Sequence, residues 1–178
     1  MKTYSLFFLI AISTIACTAP DKKVMEADEY SGPIFEQSDV RTFYSDSAKV
    51  MLKMEAPLQY NYINGDKEFP EGLYMEFYDK LGAVTTTMRC DYCIYDGEEK
   101  VWKATGDVEI ESFKENQKLN TEELNWDPAK EKVYTDKFVR IETDNEILMG
   151  EGLEAAQDFS TYSIKKVRGS IPINEQMR

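Results

Sequence analysis

With 178 residues the chain suits one ordinary domain, and 21 Lys and Arg against 33 Asp and Glu give a formal net charge of −12. It contains no histidine, which excludes Ser-His-Asp and Cys-His nucleophile pairs and any imidazole metal site. So acidic a chain repels nucleic-acid phosphates, and without a G-x-x-x-x-G-K-[ST] motif P-loop nucleotide hydrolysis is not expected. At 42 % hydrophobic and 30 % charged, the composition is that of neither a disordered nor a membrane-embedded chain.

In chain order, Lys2 is followed by an apolar run from Leu6 to Ala16 and then Cys17. The run is too short for a ~30 Å hydrocarbon core. A basic start, a short apolar stretch and small residues before a cleavage point describe a secretory signal. Thr14-Ile15-Ala16-Cys17 resembles a bacterial lipoprotein signal, in which the new terminal cysteine is acylated; the alternative is a plain signal peptide with an incidental cysteine. The expected division is a signal peptide over 1–16, a polar tether over 17–33 interrupted by Pro20, Gly32 and Pro33, a body over 34–170 and a C-terminal tail over 171–178.

The body alternates with period two. Ala48, Val50, Leu52, Met54 and Ala56 share a face; so do Leu73, Met75 and Phe77, and Val84, Thr86, Met88, Cys90, Tyr92 and Ile94. Val108 and Ile110 oppose Asp107, Glu109 and Glu111, and Val133, Val139 and Ile141 oppose Lys132, Asp136 and Arg140. Ile147, Met149 and Leu153 form the weakest such series. Turn signals separate the runs at Asn64-Gly65-Asp66, Asp96-Gly97, Asn116, Asp127-Pro128 and Asp144-Asn145. The expectation is an all-β antiparallel meander closing into a sandwich or jelly roll. Leu119 and Thr121 differ in phase from Leu124 and Trp126, which predicts a bulge, and Gly150 and Gly152 mark another bend.

Eight methionines and nine phenylalanines enrich the apolar positions. They either fill a closed core or line a sandwich whose inner faces part to hold a lipid, for which flexible methionines are suited. The acids include close pairs such as Glu122-Glu123 and Glu109/Glu111, but neighbours in a strand face opposite ways, and Glu109 and Glu111 lie opposite Val108 and Ile110, toward solvent. No feature selects a hydrolytic carboxylate dyad, and there is no D-x-[DN]-x-[DN]-G calcium loop. Cys90 and Cys93 form C-x-x-C, here in a Thr-rich strand rather than at a helix start. In a straight strand residues three apart are ~10 Å apart, whereas a disulfide needs Cα atoms within ~7 Å. A bond between them requires a bulge at 91–92; otherwise Cys90 is a small buried hydrophobe.

The series Lys103–Ile110, then Leu119-Asn120-Thr121-Glu122-Glu123-Leu124-Asn125-Trp126-Asp127, then Val133-Tyr134-Thr135-Asp136-Lys137-Phe138-Val139-Arg140-Ile141, then Gly150-Glu151-Gly152-Leu153 resembles the LptC family, the periplasmic component of the lipopolysaccharide export ABC transporter. Residues 48–56 and 73–94 look like its bacteroidete-type members, and the resemblance spans roughly 34–170. It implies a twisted antiparallel β-jelly roll open at both ends, with lipopolysaccharide acyl chains held inside. It implies no enzyme activity and no cofactor. The partners implied are lipopolysaccharide, the inner-membrane transporter that delivers it and a soluble LptA-like protein of the same fold that receives it, joined by strand addition at the edges. Combined with the alternation, the expected groove residues are Val50, Leu52, Val84, Met88, Val108, Ile110, Val133, Val139, Ile141, Ile147 and Met149. Val40, Thr42 and Tyr44 would lie on the transporter edge, and Tyr162, Ile164 and Val167 on the partner edge. The familiar members keep an uncleaved membrane helix, whereas Cys17 here implies a lipid anchor in the inner membrane, with the body in the periplasm. The competing readings are a structural or interaction lipoprotein with a closed β-sandwich core and no lipid, and a carboxylate hydrolase.

Overall fold

The computed structural model describes residues 30–172. The expected signal peptide, Cys17, most of the expected tether and the last six residues lie outside the described residues.

Eleven strands form one antiparallel sheet: β1 (Phe35–Asp46), β2 (Lys49–Asn61), β3 (Lys67–Phe69), β4 (Leu73–Tyr78), β5 (Val84–Cys90), β6 (Tyr92–Tyr95), β7 (Trp102–Ser112), β8 (Gln117–Asp127), β9 (Lys132–Glu142), β10 (Glu146–Ala156) and β11 (Tyr162–Pro172). The all-β, antiparallel expectation is borne out. The order is a meander once β3 with β4, and β5 with β6, are each taken as one interrupted strand. β2 pairs with both β3 and β4, β3 with β6, β4 with β5, and β7 with both β5 and β6. From β7 the sheet continues through β8, β9 and β10 to β11, and β1 adds outside β2.

The turns are set by local chemistry. Asp79 Oδ1 accepts the backbone N–H groups of Leu81 and Ala83, at 2.8 and 3.0 Å, with Gly82 at φ 86°. Asp96 Oδ1 does the same for Glu98 and Glu99. Asn116, at φ 50°, turns β7 into β8.

A line of irregularities crosses the middle of the sheet. It comprises the turn at 70–72, the break at Asp91, and register shifts between Thr105 and Val108, Thr121 and Asn125, and Glu151 and Leu153. Each bulge bends its strand and increases its twist. Because they are aligned, the whole sheet folds over along them and brings its two halves face to face. Phe77 of β4 in one half meets Trp126 of β8 in the other edge to face, with ring centroids 5.3 Å apart and planes at 81°. The expected bulge in β8 and bend at Gly150 and Gly152 fall on or beside this line.

The bend also changes the phase of β10. Gly152, at φ 75°, resets the alternation, so Leu153 and Ala155 face inward after it, whereas before it Leu148 pairs with inward Ile141 and packs on the core. Ile147 and Met149, expected on the groove face, therefore stand on the opposite face, beside Glu142 and Arg140. Unbroken alternation back from Leu153 misplaced them.

Candidate functional site

The interior is built from cross-strand rows, because paired residues in neighbouring strands share a face. In one half the row runs Met54, Met75, Met88, Ile110, Leu119, Ile141, Leu148 through seven neighbouring strands, with Thr42 of β1 at one end and Ser170 of β11 at the other. In the facing half it runs Tyr95, Trp102, Trp126, Val133, Ala155, Tyr162. Met75, Val108, Val139 and Leu153 are wholly buried between the halves.

The expected groove residues divide by depth. Leu52, Met88, Val108, Ile110, Val133, Val139 and Ile141 are buried in one core cluster. Val84 is half-buried at the start of β5, and Val50 is exposed. Met88, Ile110 and Val133 line a small internal cleft with Phe77, Thr86, Trp126, Gln157 and Phe159. That cleft has room for about 10 Å³, one water-sized sphere.

Alternation did not single out what fills the space. An aromatic column of Phe69, Trp102, Trp126 and Phe77 crosses between the halves, with successive centroids 5.8, 6.0 and 5.3 Å apart, and Tyr95 packs on Trp102 at 4.8 Å. Trp126 Nε1 donates to Gln157 Oε1 at 3.1 Å. Phe159 comes from the β10–β11 turn at φ 58°, yet its ring is buried. A turn residue with a buried ring closes that end of the cleft.

Both edge strands are open. Among the described residues, β1 and β11 each pair on one side only. Val40, Thr42 and Tyr44 pair with Ala56, Met54 and Leu52, so they continue the inner face out to the rim. Val40 is half-buried, Thr42 is exposed and Tyr44 is 63 % exposed. At the other rim Tyr162 and Ile164 pack partly on the core, while Val167, opposite Gly150, is 64 % exposed. At the β1–β2 and β4–β5 hairpin ends, a surface hollow of about 400 Å³ is lined by Phe43, Lys49, Val50, Tyr78, Asp79, Lys80, Leu81 and Gly82. The expected groove residue Val50 lies there rather than in the deep interior.

The ion pairs gather on the outer face, while Lys67 lies over the Tyr95 ring, 5.9 Å from its centroid, at the end of the inner row. Arg41 bonds Glu55 at 2.6 Å, Lys53 bridges Glu55 and Glu76, and Arg89 bonds Asp107 at 2.7 Å. The Arg41 and Lys53 bonds hold the Glu55 carboxyl below its usual range, and the Tyr78 hydroxyl and Lys53 do so for Glu76. Burial works to raise Glu109, but Lys118, Asn120 and Arg89 outweigh it and keep it low. Glu111 is exposed. Glu109 is thus a held carboxylate, not the raised carboxyl of a general acid. Among the described residues no group of three or more His, Cys, Asp or Glu is placed to hold a metal ion. No helix among them is long and apolar enough to cross a membrane.

An antiparallel roll folded over on itself, apolar within, charged outside and unpaired at both edge strands is an open-edged β-roll. A family model for lipopolysaccharide-assembly, LptC-related proteins matches residues 42–171, from within β1 to within β11, and the chain belongs to the LptC family. No curated protein matches it. Membership gives the chain a role in lipopolysaccharide transport, on the periplasmic side of the inner membrane, in a family that binds lipopolysaccharide and works with an ABC transporter.

Proposed function

We propose that this chain accepts lipopolysaccharide from the inner-membrane ABC transporter and passes it, without chemical change, to a soluble LptA-like roll. β1 (Val40, Thr42, Tyr44) receives the transporter edge and β11 (Tyr162, Ile164, Val167) the soluble partner. Cys17 carries the acyl anchor, and residues 18–33 tether the body over 34–170 to the membrane.

The observation that carries this reading is the methionine-rich inner row from Thr42 to Ser170, edge to edge across the sheet. An acyl chain of about twelve CH₂ groups exposed to water costs roughly 10 kcal/mol, and an apolar lining between two rims removes most of that. The resting interior is too full for such a chain, so entry requires the halves to part and Phe77 and Phe159 to swing aside. Met54, Met75 and Met88, unbranched and polarizable, repack at low cost as the cargo moves.

The packed cleft is also what a closed-core structural lipoprotein would have, so the rims decide between the readings. A photo-crosslinker at Thr42 should capture the transporter and one at Val167 a soluble roll, while one at Glu111 on the outer face captures neither. Capture of neither partner from either rim would favour the closed-core protein. For the anchor, Cys17→Ser should release the protein from membranes, and unchanged fractionation would remove the acyl anchor from the account.

A further inference from the structure

In a regular strand Cys90 and Cys93 would face opposite sides of the sheet. Here both are buried in the same core cluster, at 6 % and 0 % exposure. The reason is the break at Asp91. Its N–H bonds Gly106 O at 2.9 Å while β5 ends at Cys90 and β6 begins at Tyr92. The neighbouring chain is shortened at the same level. Cys90 lies opposite Leu73 and Cys93 opposite Phe69, and between those partners Gly72 N–H bonds back to Phe69 O, a turn whose ends lie within about 7 Å. Gly72, at φ 92°, fits because a Cβ there would sit 2.7 Å from Cys90 O. The Cys90 thiol donates to Leu73 O and the Cys93 thiol to Ile94 O, each at 3.8 Å, and the interaction between the two neighbouring sulfurs draws Cys90 below the usual thiol range and, with burial, pushes Cys93 above it. The break at Asp91 thus removes the straight-strand geometry that would set the two cysteines on opposite faces.

We infer that Cys90 and Cys93 are an oxidation site, a dithiol that closes to a disulfide across the Asp91 break and clamps the fold line of the roll. The oxidant is a protein disulfide of the dithiol-oxidising kind found in the periplasm, where disulfides persist. The Cys90 thiolate attacks it, forming a mixed disulfide and releasing one oxidant sulfur as a thiolate. The Cys93 thiolate then attacks Cys90 Sγ and releases the second. The two cysteines lose two protons and two electrons, the Cys90–Cys93 bond forms, and the oxidant's S–S bond becomes two thiols. Because Cys93 is wholly buried in the folded roll, oxidation belongs to folding, before the halves close. The inference rests on the periplasmic placement of the family, not on its cargo.

Trypsin cleavage after Arg89 and Lys100 places both cysteines in one peptide, residues 90–100. Protein from the periplasm, acid-quenched and alkylated in denaturant without reductant, should give that peptide unalkylated and two hydrogens lighter than the dithiol; reduction should then admit two alkyl groups. Two alkyl groups without reductant, or either cysteine joined to another peptide, would overturn the site. Reductant should lower the melting temperature of the wild type and leave Cys90→Ala/Cys93→Ala unchanged; an unchanged wild type would overturn the clamp. Lipid capture at Met88 fails or succeeds independently of both results.

Discussion

Phe159 and Tyr92 show what single side chains do on the two faces of the sheet, Phe159 in the core and Tyr92 against Glu68 on the opposite face. Phe159 closes one end of the cleft from a turn, at φ 58°. Phe159→Ala should therefore enlarge the cleft and cost about 3–5 kcal/mol by analogy with other buried aromatic truncations, measured as a lowered midpoint in urea unfolding. The same variant should take up an apolar fluorescent probe faster than wild type, and an unchanged uptake rate would show that the ring does not gate the interior. Tyr92 donates to Glu68 Oε1 at 2.8 Å, and Tyr62 donates to the other oxygen of the same carboxylate. Burial and that bond push the Tyr92 hydroxyl up to about 12. Its folded state holds the proton more tightly than its unfolded state, so its contribution is intact below pH 10 and is lost as pH rises toward 12. Urea midpoints should therefore fall less across that interval in Tyr92→Phe than in wild type. At this scale the sequence was partly legible. Met88, Val108, Ile110, Val139 and Ile141 could be placed inside from alternation alone, because a strand with one buried face repeats every two residues. The Trp102–Trp126 stack and the inward Phe159 could not, since the contacts join residues that are distant in sequence or lie in a turn with no period.

Three strand pairings lose register at the line where the sheet bends, and the residues at that line do unlike jobs. Gly72 must be glycine: its φ is 92° and a Cβ would meet Cys90 O at 2.7 Å. Gly72→Ala should cost more than about 1 kcal/mol, and for a domain of this size each kcal/mol lowers the melting temperature by roughly 2–4 °C. Gly82→Ala is the control, because its added Cβ meets nothing within 4 Å although φ is 86°. It should show only the backbone penalty, and a loss as large as that of Gly72→Ala would refute the crowding argument. The bulge in β8 was readable because Leu119/Thr121 and Leu124/Trp126 fall out of phase. In β10 the same device misled, because Ile147, Leu148 and Met149 are all apolar and only the position of Gly152 decides which face each takes. β3 and β6, of three and four residues, are too short to show a period. They exist because their neighbours β2 and β7 extend past the break.

For the molecule as a whole, the ion pairs are sorted to the outside and the buried core holds none among the described residues. Glu55, Glu76, Glu109, Asp127 and Asp136 are all held below their usual carboxyl values by basic or hydroxyl partners. Their contributions are present above the ordinary values of 4.5 for Glu and 3.8 for Asp and are lost as pH falls through the lower folded values. With no histidine in the chain, stability followed by urea unfolding should be nearly flat between about pH 6 and 8 and should decline steeply only in acid. A step near neutrality would contradict this. The central claim is that lipid passes along the inner row, and it is tested by placing a photo-crosslinker at Met88 in growing cells, with Glu111 on the outer face as the control. The account predicts lipopolysaccharide adducts at Met88 and none at Glu111. Adducts at neither position, or at Glu111 alone, in a protein that folds normally would contradict it.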